Sequence, residues 1–272
     1  MAEQDYKLSL MTQRIWTLYQ AEILNDINLS VILPFYKKFD AFVRILPLNA
    51  AYFQRNGIEV IVVLDEPSQE KQLLLLVAQY PLINWILLIN RNVHAWRNPA
   101  KAINVGIRAA SKKYIMVCSP ESFFKTDVIL YMRLILNAYK NAFAIGKVYF
   151  STYGDYIIDN KASLLYGSIM AQKSHLVSVG CYKETYDSWG GEDDNIRAKL
   201  EYRGYSKMLV DNAVLIHFDE SISEVVHRDS KPRSIPADTY RDSHRPTAAD
   251  LSQEEWGRDF SEKIFDYKDK EQ

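Results

Sequence analysis

Cysteine is scarce in this chain: Cys118 and Cys181 are the only two among 272 residues. Two thiols build no disulfide framework, and no paired Cys/His spacing outlines a structural zinc site. Such usage fits a reducing compartment. Excess positive charge is missing as well. Lys and Arg number 33 against 34 Asp and Glu, a formal net charge of −1, which speaks against the basic footprint of a nucleic-acid partner. No apolar run reaches the ~18 residues that span a bilayer. The opening stretch MAEQDYKLSLMTQR carries acids early and has no long apolar centre, so it does not read as a secretory signal. The expectation is a cytoplasmic protein whose membrane contact, if any, is peripheral. Neither G-x-G-x-x-G nor G-x-x-x-x-G-K-[ST] occurs, which removes the support for a dinucleotide fold or a P-loop enzyme. There is no internal repeat.

Apolar residues are plentiful, at 48% of the chain, enough for one domain with a substantial core. Residues 5 to 26 place Leu8, Met11, Ile15, Leu18 and Tyr19 near helical spacing, a helix packed on the domain or docked on a partner or membrane surface. LSVILP from Leu29, IEVIVVLDE from Ile58, NWILLIN from Asn84 and KYIMVCSP from Lys113 are nearly continuous apolar runs, as strands buried on both faces read. Helix-length segments lie between and after them: Asp40 to Gln54, Gln69 to Tyr80, Asn98 to Ser111 and Thr126 to Lys140. The alternation predicts βαβ units and an α/β fold with a mostly parallel sheet flanked by helices. In NPAKAINVGIRAAS, Ile103, Gly106, Ile107 and Ala110 share the sheet-facing side, and Gly106 allows close approach. A fifth strand is expected from Phe143 to Tyr153, and a helix from Glu192 to Arg203. From Arg228 to Asp250 the chain is polar with three prolines, an extended arm or tail, and LSQEEWGRDFSEKIF reads as a short closing helix.

Ligands of open parallel sheets bind beyond the carboxyl ends of the strands. Four such ends turn polar or aromatic here: Pro34-Phe35-Tyr36-Lys37, Asp65-Glu66, Asn90-Arg91-Asn92 and Ser119-Pro120-Glu121. The stretch DSWGGEDDNIRAKLEYRGY, from Asp187, adds Gly190 and Gly191 ahead of three acids in the first turn of a helix. The helix dipole favours acids there by ~0.3–1 kcal/mol each. Capping accounts for one or two of Glu192, Asp193 and Asp194, whereas stacking three is opposed by their repulsion. Arg197 is spaced to pair with Asp193 and Glu201 with Arg197. Trp189 reads equally as core or as a flat platform for a sugar ring.

The blocks LSVILPFYKKFDAFVRILPLNAAYFQRNGIEVIVVLDEPS and RNVHAWRNPAKAINVGIRAASKKYIMVCSPES resemble family-2 glycosyltransferases of the GT-A fold. WGGEDDNIRAKLEYRGY resembles the Trp-Gly-Gly-Glu-Asp signature of β-1,4-galactosyltransferases and related galactosyl- and N-acetylgalactosaminyltransferase domains. The likeness runs over about residues 28 to 220. With the spacing and composition above, it divides the chain into a helical segment at 1–27, a transferase domain at 28–225 and an arm at 226–272. Within the domain, 28–125 would bind the nucleotide and 150–225 the acceptor.

On this resemblance Pro34, Phe35 and Tyr36 would line the nucleotide pocket, and Asp65 would hydrogen-bond the base, uracil in a UDP-sugar. Asn98, Lys101 and Asn104 would border ribose and diphosphate. Trp189, Glu192 and Asp194 would hold the acceptor sugar, with Asp193 as general base and Glu192 beside it in the catalytic pair. Mn²⁺ or Mg²⁺ would sit between Glu121 and His217. The family's Asp-x-Asp is altered here, because Ser119 replaces its first acid and Glu121 its second, which weakens the metal site. His217 reads either as a ligand or as an ordinary half-buried histidine. His227 is a weaker candidate, and His94, His175 and His244 carry no assignment.

The implied reaction moves a sugar, galactose or N-acetylgalactosamine for example, from a UDP-sugar to a glycan or other hydroxyl acceptor. Inversion is expected, since retaining relatives carry Asn where this chain has Asp193. Two alternatives stay open: a nucleotide-sugar-binding protein with little catalysis, and a nucleotidyltransferase, which would need the missing glycine loop.

Overall fold

The computed structural model describes residues 17–151, 168–218, 235–252 and 254–270. A helix at residues 17–25 (α1) leads into strand β1 (Leu29–Phe35). Helix α2 (Phe39–Phe53), strand β2 (Ile58–Leu64), helix α3 (Glu70–Val77), strand β3 (Trp85–Ile89), helix α4 (Ala100–Ala109) and strand β4 (Tyr114–Val117) continue the alternation. Strand β5 (Ser122–Phe124), helix α5 (Val128–Ala138) and strand β6 (Ala142–Ser151) follow. After residue 168 come β7 (Ile169–Gln172), α6 (Lys173–Ser178), α7 (Glu192–Tyr202) and β8 (Ser206–Phe218). Helices α8 (Ala237–Ser243) and α9 (Ala248–Leu251) and strand β9 (Glu262–Asp266) complete the described chain.

The strands form one sheet in the order β5-β8-β6-β7-β4-β1-β2-β3-β9. Strands β1, β2, β3, β4, β6 and β8 run one way and β5, β7 and β9 the other. The four apolar runs named from sequence are its parallel centre, β4-β1-β2-β3, within a few residues of their expected ends.

Alternation along each strand divides the core. Val31, Leu33 and Phe35 of β1 meet Phe42 and Leu46 of α2, Leu73 of α3 and Met132 of α5 on one face. Ile32 of β1, with Ile61 and Val63 of β2, meets Ile103 and Ile107 of α4 and Ile196 and Leu200 of α7 on the other. A Cβ on Gly106 would lie 2.6 Å from Ile32 Cγ2 and 3.0 Å from Val63 Cγ2, so α4 rests on the sheet at this glycine. Alanine normally gains ~1 kcal/mol over glycine in a helix, while overpacking a tight core costs ~1–3 kcal/mol. The clash wins: Gly106→Ala is expected to lower stability by roughly 1 kcal/mol, seen as an earlier urea midpoint with unchanged slope.

Three expectations need correction. The segment read as a closing helix contains β9 instead, antiparallel to β3 and capping the sheet edge. Helix α8 is no loose tail either. Lys183 pairs with Asp242 at 2.8 Å and with Asp250 at 2.8 Å, and Tyr186 donates to Asp242 at 2.7 Å. In α1, Ile23 is buried whereas Leu18 and Tyr19, expected on its packed side, are exposed. Residues 1–16 lie outside the described residues, as do 152–167 and 219–234, which hold His227 and much of the expected acceptor arm. Among the described residues no helix is long and apolar enough to cross a membrane.

Candidate active site

Helix α4 begins at the carboxyl end of β3, and the acidic turn of α7 is fastened to that beginning by one buried side chain. Asn98 Oδ1 accepts from Ala100 N at 3.0 Å, which caps α4. Its Nδ2 donates to Ser188 O at 3.0 Å, Gly190 O at 3.3 Å and Glu192 Oε2 at 3.0 Å. Gly191 makes the turn into α7 at φ +90°, where a side chain would be strained, and a Cβ there would press on Thr239 of α8. Glu192, Asp193 and Asp194 are thereby held at the carboxyl edge of the sheet.

Burial separates the three acids. Glu192 is buried, and this desolvation, followed by the neighbouring Asp193 charge, pushes its carboxyl up to about 8. Asp193 is half-buried beside Tyr182, whose phenol is pushed well above its usual range by burial first and the Asp193 charge second. Asp194 pairs with the buried Arg197. Arg197 thus pairs with an acid three residues before it, and Glu201 reaches Lys207 at 2.8 Å instead of Arg197.

Glu192 sets a pH dependence with a definite sign. Unfolded, it releases its proton near 4.5; folded, it keeps it to about 8. Between these values the unfolded chain binds fewer protons, so this group lowers stability as pH rises through the window. Glu192→Gln keeps an acceptor for Asn98 and is expected to flatten the fall in Tm from pH 4.5 to pH 8. An unchanged Tm profile would remove Glu192 as its source.

The first half of the edge is densely paired. Asp65, at the end of β2, accepts from Arg97 Nε at 2.9 Å and from Arg97 Nη2, and His94 Nε2 lies 3.7 Å away. Burial raises its carboxyl, but Arg97 and His94 outweigh this and leave it lowered. Arg97 also meets Asp259 at 2.5 Å, which Lys101 approaches at 3.3 Å. Tyr36 donates to His94 O at 2.9 Å and stacks on its ring, centroids 5.6 Å apart. Asp65, Tyr36 and Lys101 thus lie at the edge, with their charges and hydrogen bonds engaged within the protein.

Other assignments shift. Phe35 is wholly buried against Phe42, so it is core and not pocket lining. Pro34 is half-buried within β1. Asn104 is also wholly buried: it donates to Tyr182 O and to Glu184 Oε1, each at 2.8 Å, and accepts from Tyr182 N at 2.9 Å. It clamps α4 to the loop before α7 rather than bordering a ribose. Asn98 likewise faces the acidic turn. Trp189 is half-buried on that loop.

The two expected metal ligands do meet. His217 Nε2 lies 3.8 Å from Glu121 Oε1, and Ser122 Oγ is 3.0 Å from His217 Nδ1. Strand pairing between β5 and β8 sets Ser122 opposite His217. A third group occupies the acid: Lys38 Nζ stands 2.5 Å from the same Glu121 oxygen. Burial opposes ionisation of Glu121, yet Lys38 and His217 hold its carboxyl far below the usual range. Among the described residues no three His, Cys, Asp or Glu gather in a way that could hold a metal ion. Among the described residues, one carboxylate carrying an ammonium beside one imidazole makes an oxygen-poor set that does not fit a divalent cation. Sequence reasoning missed Lys38. The signal was present, since PFYKKFD puts two lysines after a strand end in a chain whose Ser-Pro-Glu lacks one acid.

No family model matches the chain. Over 130 residues it is 32% identical to β-1,4-galactosyltransferase 1 of Bos taurus, a match covering 44% of this chain and 29% of that protein. The chain thus spans less than a third of that relative's length. GalNAc-T7, solved with UDP, GalNAc and Mn²⁺, is similar at TM-score 0.59 and 11% identity, over 72% of this chain and 44% of that one. S. aureus TarS 1–349, in complex with UDP-GlcNAc, is similar at TM-score 0.56 and 14% identity, over 71% and 59%. The catalytic domain of Drosophila β1,4-galactosyltransferase 7, in complex with xylobiose, gives TM-score 0.51 and 16% identity, over 81% and 80%. These likenesses establish the fold as that of GT-A glycosyltransferases.

Proposed function

We propose that this chain transfers a sugar from a UDP-sugar to an acceptor hydroxyl, with inversion at the anomeric carbon. The observation that carries this is the Asn98 latch, which brings the first turn of α7 to the strand ends that receive ligands in such sheets. In this reading the nucleotide lies over the ends of β1 and β2, near Tyr36 and Asp65. Asp193 accepts the acceptor's proton as its oxygen attacks. Glu192, neutral at pH 7, contributes a hydrogen bond to the acceptor rather than a second negative charge. The names of the similar proteins support galactose, N-acetylgalactosamine or N-acetylglucosamine as donor sugars. No step is assigned to manganese, because the described residues do not fit it.

The test is a thermal-shift screen of nucleotides and nucleotide sugars. UDP and a UDP-sugar are expected to raise Tm, by about 2.7 kcal/mol of stabilisation at 100 Kd. If purine nucleotides shift it equally, or no nucleotide does, the UDP-sugar site is lost. One observation favours binding without transfer: Ser119 stands where the resemblance places the first acid of the metal motif. A UDP-induced shift without transfer to any acceptor would select that second reading.

A further inference from the structure

Lys38 is a costly residue where it stands. It occupies the N-terminal cap position of α2, where the helix dipole disfavours a cation, and it is buried to 8% exposure. Its partner Glu121 is 3% exposed. Buried ion pairs are often no more stable than a well-packed apolar pair, so stability alone gives weak reason to keep one. The pair lies where the ends of β1 and β4 adjoin, two residues beyond Tyr36.

Glu121 holds an ammonium where a pair of acids would hold a divalent cation. Ser119 stands where the resemblance places the first acid, and Lys38 brings one positive charge to the second.

We propose that Lys38, seated by Glu121, supplies the positive charge for the diphosphate of the nucleotide sugar, and that nucleotide binding here is independent of divalent metal. This rests on the UDP-sugar reading above. In the reaction the bond from the anomeric carbon to the β-phosphate oxygen breaks, and its electron pair stays on that oxygen. The acceptor oxygen forms the new bond and its proton passes to Asp193. Lys38 transfers no proton: it hydrogen-bonds the phosphate oxygen on which charge grows. Glu121 is a positioning residue that holds the ammonium in place.

Calorimetry of the full chain with UDP and with uridine tests this. UDP affinity in EDTA is expected to equal that in Mn²⁺. Lys38→Gln alone strands a buried carboxylate, so the informative variant is Lys38→Gln with Glu121→Gln, which removes both charges. It is expected to lose about 10- to 100-fold in UDP affinity, the worth of one hydrogen bond to a charged group, while uridine affinity stays unchanged. UDP binding that requires Mn²⁺, or a double variant binding UDP as the native chain does, overturns the role of Lys38 and leaves the nucleotide site standing. A native chain that binds neither UDP nor uridine overturns the nucleotide site itself.

Discussion

Asp193→Asn is expected to give a folded chain that binds UDP as before and transfers sugar about 10²–10⁴-fold more slowly. The substitution is nearly isosteric and replaces the basic carboxylate with a neutral amide. Asp193 is half-buried on the second residue of α7, and the Asp194–Arg197 ion pair of the same turn is left in place by the substitution. Glu192 cannot take over at neutral pH. Burial is the larger cause of its raised carboxyl, and burial persists when the Asp193 charge is gone. Any residual activity should therefore rise with pH as Glu192 ionises, a profile that initial rates between pH 6 and 9 would expose. Normal turnover in the variant would take the base role away from Asp193, whereas lost UDP binding would make its role structural.

The parallel centre of the fold was legible because its information is local. Each of β1 to β4 is an apolar run ended by a polar turn, and α4 declares its buried side through Ile103, Gly106 and Ile107. Strand β9 was not legible, because its partner β3 lies some 175 residues earlier and EKIFD carries no local sign of it. Phe35 was misjudged although parity could have placed it: Leu29, Val31, Leu33 and Phe35 lie on one face of β1, so Phe35 follows its neighbours into the core. The acidic turn was legible as a cluster, but its fastening was not. Asn98 and Asn104 each reach partners about 80 to 90 residues away, and an amide looks the same in sequence whether it faces a ribose or a backbone carbonyl. Lys38 and Glu121 likewise make sense only together, across 83 residues.

Asn98 offers the second large effect, because its two ends do separable work. Asn98→Ala removes both the cap on Ala100 N and the donors to Ser188 O, Gly190 O and Glu192. A lost cap costs ~1 kcal/mol and each buried acceptor left unsatisfied ~1–3 kcal/mol. A net loss of roughly 2–4 kcal/mol in urea unfolding follows, with local relaxation returning part of the sum. Asn98→Asp keeps the capping oxygen and loses the donors, and it sets a carboxylate beside Glu192. Uridine and UDP binding should persist in Asn98→Asp, since the nucleotide edge at Tyr36 and Asp65 is held by His94 and Arg97. Transfer should fall by about 100-fold, the scale on which a misplacement near 1 Å acts, and mainly in kcat. A variant that loses stability but keeps kcat would show that α7 holds its acids in place without the latch, and the single contact on which the proposed site depends would be structural only.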